Sequence, residues 1–193
     1  MLRRVRSSRR LPRSFAALVL VEAGFRLVEL RLSARNERGS SAPRAAGSRY
    51  PLMVATHTAL FVAPLVEVVV ARRRPGRAAP AWVGVLAAAT ALRWWTIGSL
   101  GRSWNVRAAV PEDLQPVTGG PYRFVRHPNY LAVVLEFVAL PMAGGAWVST
   151  AALSAVHAVV LADRIREEER LLDRVPAYRQ ALKGRARFIP GIF

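Results

Sequence analysis

The chain has no cysteine among its 193 residues. Disulfide staples, thiolate metal ligands and a thiol nucleophile are therefore excluded. Histidine occurs three times, at His57, His127 and His157, with no HExxH or H-x3-H spacing. A metal site is not expected. No GxGxxG occurs, so a dinucleotide-binding fold has no fingerprint here. Acids are few, 12 against 29 basic residues, and the net charge is +17. Lys183 is the only lysine. The arginine skew reflects codon composition as much as chemistry and carries no weight as a sign of arginine-specific recognition.

What the chain does have is apolar sequence. It is 52% hydrophobic with a mean hydropathy of +0.19, and the apolar residues come in blocks. Arginines cluster at the block ends, as at Arg72, Arg73 and Arg74. Such flanks are attracted by anionic headgroups and set membrane topology. The distribution points to a membrane rather than a nucleic-acid partner as the origin of the charge. The length suits one domain.

Residues 1–13 hold six arginines and no acid. The block after them has no clean apolar core and no small-residue cleavage site, so they read as a basic juxtamembrane tail. That first block, Phe15 to Leu32, is interrupted by Glu22, Arg26 and Glu29 on one helix face, with Glu22 and Arg26 within pairing reach. It reads as an amphipathic or bundle-facing helix, with a loop over 33–50. The second block, Pro51 to Ala71, is long enough to span. It carries His57 and Glu67, each either functional or interfacial. The third, Ala81 to Leu100, ends in Arg93-Trp94-Trp95, the pattern of a membrane boundary with a snorkelling arginine. Residues 101–129 form a polar connector anchored by Trp104, Tyr122 and Phe124. From Tyr130 to Ala162, Glu136 is the only charge. As one helix that stretch would run roughly 50 Å, too long for a core of ~30 Å. Pro141, Gly144 and Gly145 break it into a hairpin of two short helices. The tail, Asp163 to Phe193, starts helically, with Arg164, Glu168 and Leu172 on one face.

The expected fold is an all-α integral membrane protein of about five transmembrane helices, the last two a tight hairpin. It forms a single domain, 1–193. Residues 1–49 are tail, first helix and loop, 50–100 are transmembrane helices, and 101–193 hold the connector, hairpin and C-terminal tail. With the N-terminus outside, the inner segments hold sixteen basic residues and the outer segments ten. That places the connector and the tail together in the cytoplasm.

Two polar segments then meet at one membrane face. Gly119-Gly120-Pro121 forces a turn and permits close backbone approach. Pro128 suits the first turn of a helix, leaving His127 and Asn129 at an N-terminus able to bind a carboxylate. The glutamates of the tail supply acceptors for an ammonium or for ribose hydroxyls. Taken singly, each segment is also what a capped helix start or a solvated charged helix looks like.

Arg126-His127-Pro128-x-Tyr130, a hairpin, and then Arg164-x3-Glu168-Glu169-x2-Leu172 resemble the isoprenylcysteine carboxyl methyltransferase and phospholipid methyltransferase superfamily. The fuller string 120–130, the upstream Leu100-Gly101-x2-Trp104-Asn105 and the closing Arg187-Phe188-Ile189-Pro190-Gly191 resemble its bacterial branch. The resemblance covers about 50 to 193. It implies an S-adenosylmethionine-dependent methyltransferase, with the cofactor between connector and tail and a lipid-side tunnel for the substrate. By position, Arg126, His127, Pro128, Asn129, Tyr130, Glu168 and Glu169 would hold the cofactor. Glu167 is an extra acid that leaves the acting pair ambiguous by one residue. Arg164 would orient the acceptor oxygen or balance the Glu charge, and Tyr178 and Arg187 would help close the pocket. Glu136, seven residues after Asn129 on the same face, is a candidate for acceptor placement or cofactor ammonium binding.

The implied acceptor is lipophilic: an isoprenylcysteine-type carboxylate or an alkylpyrone- or alkylresorcinol-like lipid, methylated on oxygen. The compact, arginine-rich chain looks bacterial, so the bacterial inner membrane is the expected location. Phospholipid N-methylation and a membrane-embedded nicotinamide-dependent reductase are the alternatives, with a non-catalytic membrane scaffold behind them.

Overall fold

The computed structural model describes residues 11–38, 50–106, 116–182 and 184–188. Most of the basic tail, positions 39–49 of the expected loop, positions 107–115 of the connector and the closing Ile189-Pro190-Gly191 lie outside the described residues.

Among the described residues six α-helices run in order: α1 Arg13–Glu37, α2 Tyr50–Val70, α3 Ala79–Leu100, α4 Pro128–Ala143, α5 Trp147–Leu172 and α6 Pro176–Ala181. Short 3-10 turns occupy Gly101–Ser103 and Gly120–Arg123. Among the described residues there is no sheet, only an isolated parallel bridge between Val125 and Ala186. Among the described residues three helices are long and apolar enough to cross a membrane: α2, α3 with its 3-10 extension, and α5. α4, with 16 residues, is apolar but shorter. Large apolar side chains such as Leu20, Val62, Val70 and Val159 stay exposed on the outward faces, as a lipid-facing surface requires.

α3 packs along α4, and α5 lies against both α2 and α4. The main core cluster joins Phe15, Leu60, Leu86, Phe137 and Leu140 from four different helices. Prolines mark helix starts, and Pro176 opens α6. Pro80 opens α3 and Pro128 opens α4, where the missing N–H has no partner to lose. α4 reaches its end just after Pro141, and Gly145 turns the chain at φ 77°. A Cβ there would come within 2.6 Å of the Arg74 carbonyl oxygen, so both the conformation and the close approach require glycine. Glu67 reaches across from α2 to accept from the Val148 and Ser149 amides at 3.2 and 2.6 Å. Of the two readings of Glu67, this one is structural: it caps the start of α5.

Four expectations from sequence change here. α1 does not give way to a loop at residue 33 but runs on to Glu37. Its polar end is held by tertiary bonds, with Asn36 donating to the Trp104 carbonyl at 2.7 Å and Ser33 accepting from the Val106 amide at 2.9 Å. Arg26 reaches Glu29 and Glu136, at 2.8 and 2.6 Å, while Glu22 accepts from the Thr90 hydroxyl. Arg93 does not snorkel. It sits 5% exposed on the face of α3 that also buries Leu86, Ala89 and Thr96, and pairs with Glu29 at 2.6 Å; it is Trp95 that faces outward. Lastly, the two helices around Gly144-Gly145 are unequal. α5 passes straight through Ala162 and carries the charged segment to Leu172 as one helix of 26 residues, about 39 Å long.

Candidate active site

The connector returns to α3 through the 3-10 turn at Gly120. A side chain there would collide with the Ser99 hydroxyl, which is why the Gly-Gly-Pro segment can lie flat on α3. The next residues are clasped by the C-terminal segment. The Arg126 amide donates to the Ala186 carbonyl at 2.9 Å, and the His127 amide to that of Arg187 at 3.1 Å. Arg185 donates to the Tyr122 carbonyl. Two segments about sixty residues apart are thus held side by side above the ends of α4 and α5.

A cavity of about 100 Å³ lies beneath them. Arg126, His127, Asn129, Tyr130, Arg164 and Glu168 are all in its wall. Tyr122, Trp104 and Tyr178 supply its aromatic surface. Burial pushes the Tyr122 phenol far above its usual range and raises that of Tyr178 as well. Both therefore stay neutral hydrogen-bonding groups at physiological pH. The Asn129 side-chain oxygen and the Trp104 indole N–H have no hydrogen-bond partner among the described residues.

The i, i+4, i+8 face of α5 is realised in this wall by Arg164, Glu168 and Leu172. The Tyr130 hydroxyl donates to Glu168 and accepts from Arg164 Nε at 3.0 Å. Arg164 also contacts Met53 Sδ at 3.3 Å and donates to the Val106 carbonyl, so its guanidinium is fixed from three sides.

Glu169 is placed differently. It accepts two bonds from Arg187, at 2.9 and 2.7 Å, and lies 3.1 Å from His127 Nε2 and 3.6 Å from Arg126. It holds the C-terminal segment down and does not line the cavity. Glu168 and Glu169 are therefore the two glutamates that meet the connector. Pro128 is buried at the first position of α4, and Arg187 is the partner of Glu169.

A second, larger cavity of about 380 Å³ lies between α1, α2, α4 and α5. Trp104, Asn105, Asn129, Tyr130 and Arg164 belong to the walls of both. The rest of the large cavity is mostly apolar, from residues such as Leu27, Val54, Phe61 and Val160. Glu136 lines neither. It is 4% exposed and sits in an ion cluster with Arg26 at 2.6 Å and Arg93 at 3.9 Å, and Glu29 completes the cluster. Arg26, Glu29 and Arg93 do line the large cavity, so Glu136 touches that wall through its partners. Sequence reasoning does not bring Arg93, His157, Met53 or Val106 to the site. The one signal present is a charge inside an apolar helix, and it names no partner.

Residues 82–174 match the isoprenylcysteine carboxyl methyltransferase (ICMT) family. That span runs from α3 through α5 and contains the connector motif, Glu136, Arg164, Glu168 and Glu169. The chain is also 29% identical over 159 residues to the uncharacterized protein YpbQ of Bacillus subtilis (strain 168), covering 81% of this chain and 93% of that one. No solved structure matches.

The family's cofactor can be tested against this wall. S-adenosylmethionine presents an ammonium, a carboxylate, ribose hydroxyls and a purine. The small cavity offers the Glu168 carboxylate, the unpartnered Asn129 oxygen, the Arg126 guanidinium and three aromatic side chains, so the donor and acceptor set fits. The membrane-length helices, the adjoining cavities and the match over residues 82–174 make the chain similar to the isoprenylcysteine carboxyl methyltransferase family, whose S-adenosylmethionine-dependent methyl transfer this site suits.

Proposed function

We propose that the methyl acceptor is a carboxylate or hydroxyl oxygen of a membrane-dissolved lipid, of the isoprenylcysteine, alkylpyrone or alkylresorcinol kind. The observation that carries this reading is the shared wall. A cavity suited to a polar, charged ligand and a larger apolar cavity meet at Asn129, Tyr130 and Arg164. A lipid tail fills the apolar side and leaves its oxygen at the junction.

When bound, S-adenosylmethionine supplies a methyl group already activated on a sulfonium. The protein's task is therefore alignment rather than strong acid–base work. Glu168 and Asn129 accept from the cofactor's ammonium and hydroxyls, and Arg126 takes its carboxylate. His127 and Pro128 shape the wall, and Glu169 ties His127 to Arg187. Arg164 directs a donor at the acceptor oxygen and favours its ionised form. Tyr130, held between Arg164 and Glu168, fixes the guanidinium. Glu136 is a positioning residue that holds Arg26 and Arg93 in the acceptor wall. At about 100 Å³ the small cavity is below the ~300 Å³ at which ligand pockets begin. Loading the cofactor requires the clasped C-terminal segment to move outward.

The arrangement fits five membrane crossings or near-crossings, α4 and α5 returning to one side, and an active site on the cytoplasmic face of a bacterial inner membrane. The charge excess on that side supports this orientation.

The test combines binding and transfer. Calorimetry on detergent-purified protein should show saturable S-adenosylmethionine binding that is lost in His127→Ala and Glu168→Ala. Membranes given labelled cofactor should then yield a labelled lipid. Mild base releases a methyl ester and leaves a methyl ether intact, which identifies the acceptor oxygen. Label in ethanolamine phospholipids would replace O-methylation with N-methylation.

A further inference from the structure

The large cavity contains a histidine that the transfer reaction does not use. His157 of α5 is 4% exposed, and neither of its ring nitrogens has a hydrogen-bond partner among the described residues. Its ring stacks on Phe137 at 3.9 Å between centroids, and His57 of α2 meets it nearly at right angles at 5.1 Å. His57 Nδ1 lies 2.9 Å from the Met53 carbonyl oxygen, so it donates there. His57 and His157 both line the cavity. So do Arg26 and Arg93, whose Nε and Nη1 groups respectively are buried without an acceptor.

A buried donor left without a partner is costly. Three such donors in the walls of one cavity describe a ligand that brings an oxygen to them. Their depth is set by the helix. His157 precedes Arg164 by seven residues on the same face, which is about 10 Å along α5.

Resting on the reading of this cavity as the acceptor's, we infer that His157, with His57 beside it, is a specificity-determining site for a second oxygen function on the lipid, about 10 Å from the oxygen that is methylated. The preferred acceptor is thus an oxygenated lipid rather than one with a bare hydrocarbon tail. Its carbonyl or hydroxyl accepts from the imidazole and from a guanidinium in the wall of the same cavity.

Two synthetic 5-alkylresorcinols test this. They are equal in tail length, and one carries a keto group about 10 Å from the ring hydroxyl. Binding to the detergent-purified full chain is measured by calorimetry, with S-adenosylmethionine binding and methyl transfer followed separately on the same preparations. Wild type should bind the keto probe about tenfold tighter. His157→Phe keeps the stacking on Phe137 and should bring the two affinities together, while His157→Gln, which retains a donor and an acceptor, should keep most of the preference. Equal affinities in wild type, binding of neither probe, or a preference that survives in His157→Phe would each overturn the inference. A preference without any methyl transfer would leave the inference standing and count against the proposed reaction. Transfer to both probes at equal affinity would do the reverse.

Discussion

Replacing Glu169 with alanine removes one carboxylate and three partners at once. Arg187 is bound through two short contacts, but its side chain is 37% exposed, so solvent screening reduces that pair to about 1 kcal/mol. The bond to His127, whose side chain is 3% exposed, is charge-assisted and contributes about 1.5 kcal/mol. The Arg126 contact at 3.6 Å is at a longer distance and adds little. Since the contributions share one carboxylate, a local loss of roughly 2 kcal/mol is the reasonable figure. That corresponds to about a 30-fold rise in the population with the C-terminal segment undocked. Limited trypsin digestion reads this directly, because cleavage after Arg185 follows the open population when reclosing is fast. Glu168→Gln should leave the cleavage rate near wild type while abolishing cofactor binding, because Glu168 lines the cavity and Glu169 does not. Equal cleavage rates for Glu169→Ala and wild type would refute the assignment of Glu169 as the tie. Equal acceleration in Glu168→Gln would refute the division of labour between the two.

Three further outcomes are expected. Arg93→Met leaves the buried Glu29 and Glu136 to share Arg26 as their one cation, and should cost about 3 kcal/mol, seen as a lowered unfolding midpoint in detergent; the double variant Glu29→Leu/Arg93→Met should recover part of it. Gly145→Ala meets both a left-handed φ of 77° and the Arg74 carbonyl, and should destabilise by more than about 1 kcal/mol in the same assay. Tyr122 has its phenol pKa raised by burial and by Glu168. Stability is therefore complete below the unfolded value of about 10 and falls as pH rises past it, because the unfolded chain ionises first. The unfolding midpoint should drop between about pH 9 and 11 in wild type, and drop less in Tyr122→Phe.

Local chemistry makes much of this molecule readable from sequence. Apolar blocks bounded by arginine mark the helices α2 and α3 nearly to the residue. Pro128 and Pro141 mark breaks because proline restricts the backbone and lacks an N–H, and Gly145 does so because glycine alone takes its left-handed φ without strain. The Arg164-Glu168-Leu172 face comes from helical period alone and reappears as one cavity wall. What stays hidden depends on partners distant in sequence. Arg26 lies 110 residues from Glu136, and no spacing rule connects them. Arg93 beside two tryptophans looks like a boundary marker, yet its position on the inner face of α3 sends it toward Glu29. Adjacent glutamates on a helix point in directions about 100° apart, so Glu168 and Glu169 can share a motif and still do different things. The end of α1 reads as loop because Ser33, Arg35 and Asn36 are polar, but connector backbone groups satisfy two of those side chains.

The ion cluster of Glu29, Arg26, Arg93 and Glu136 also bears on how the chain is made. Each charge carried alone to the middle of a helix costs about 2.5–3.5 kcal/mol on insertion. α1 bears Glu22, Arg26 and Glu29, so it is a poor candidate for independent partition into lipid as it leaves the ribosome. Its stable place exists only once α3 offers Arg93 and α4 offers Glu136. α1 is therefore seated only after α3 and α4 have been made. It closes one side of the larger cavity as it docks, so a half-built chain lacks the proposed lipid site.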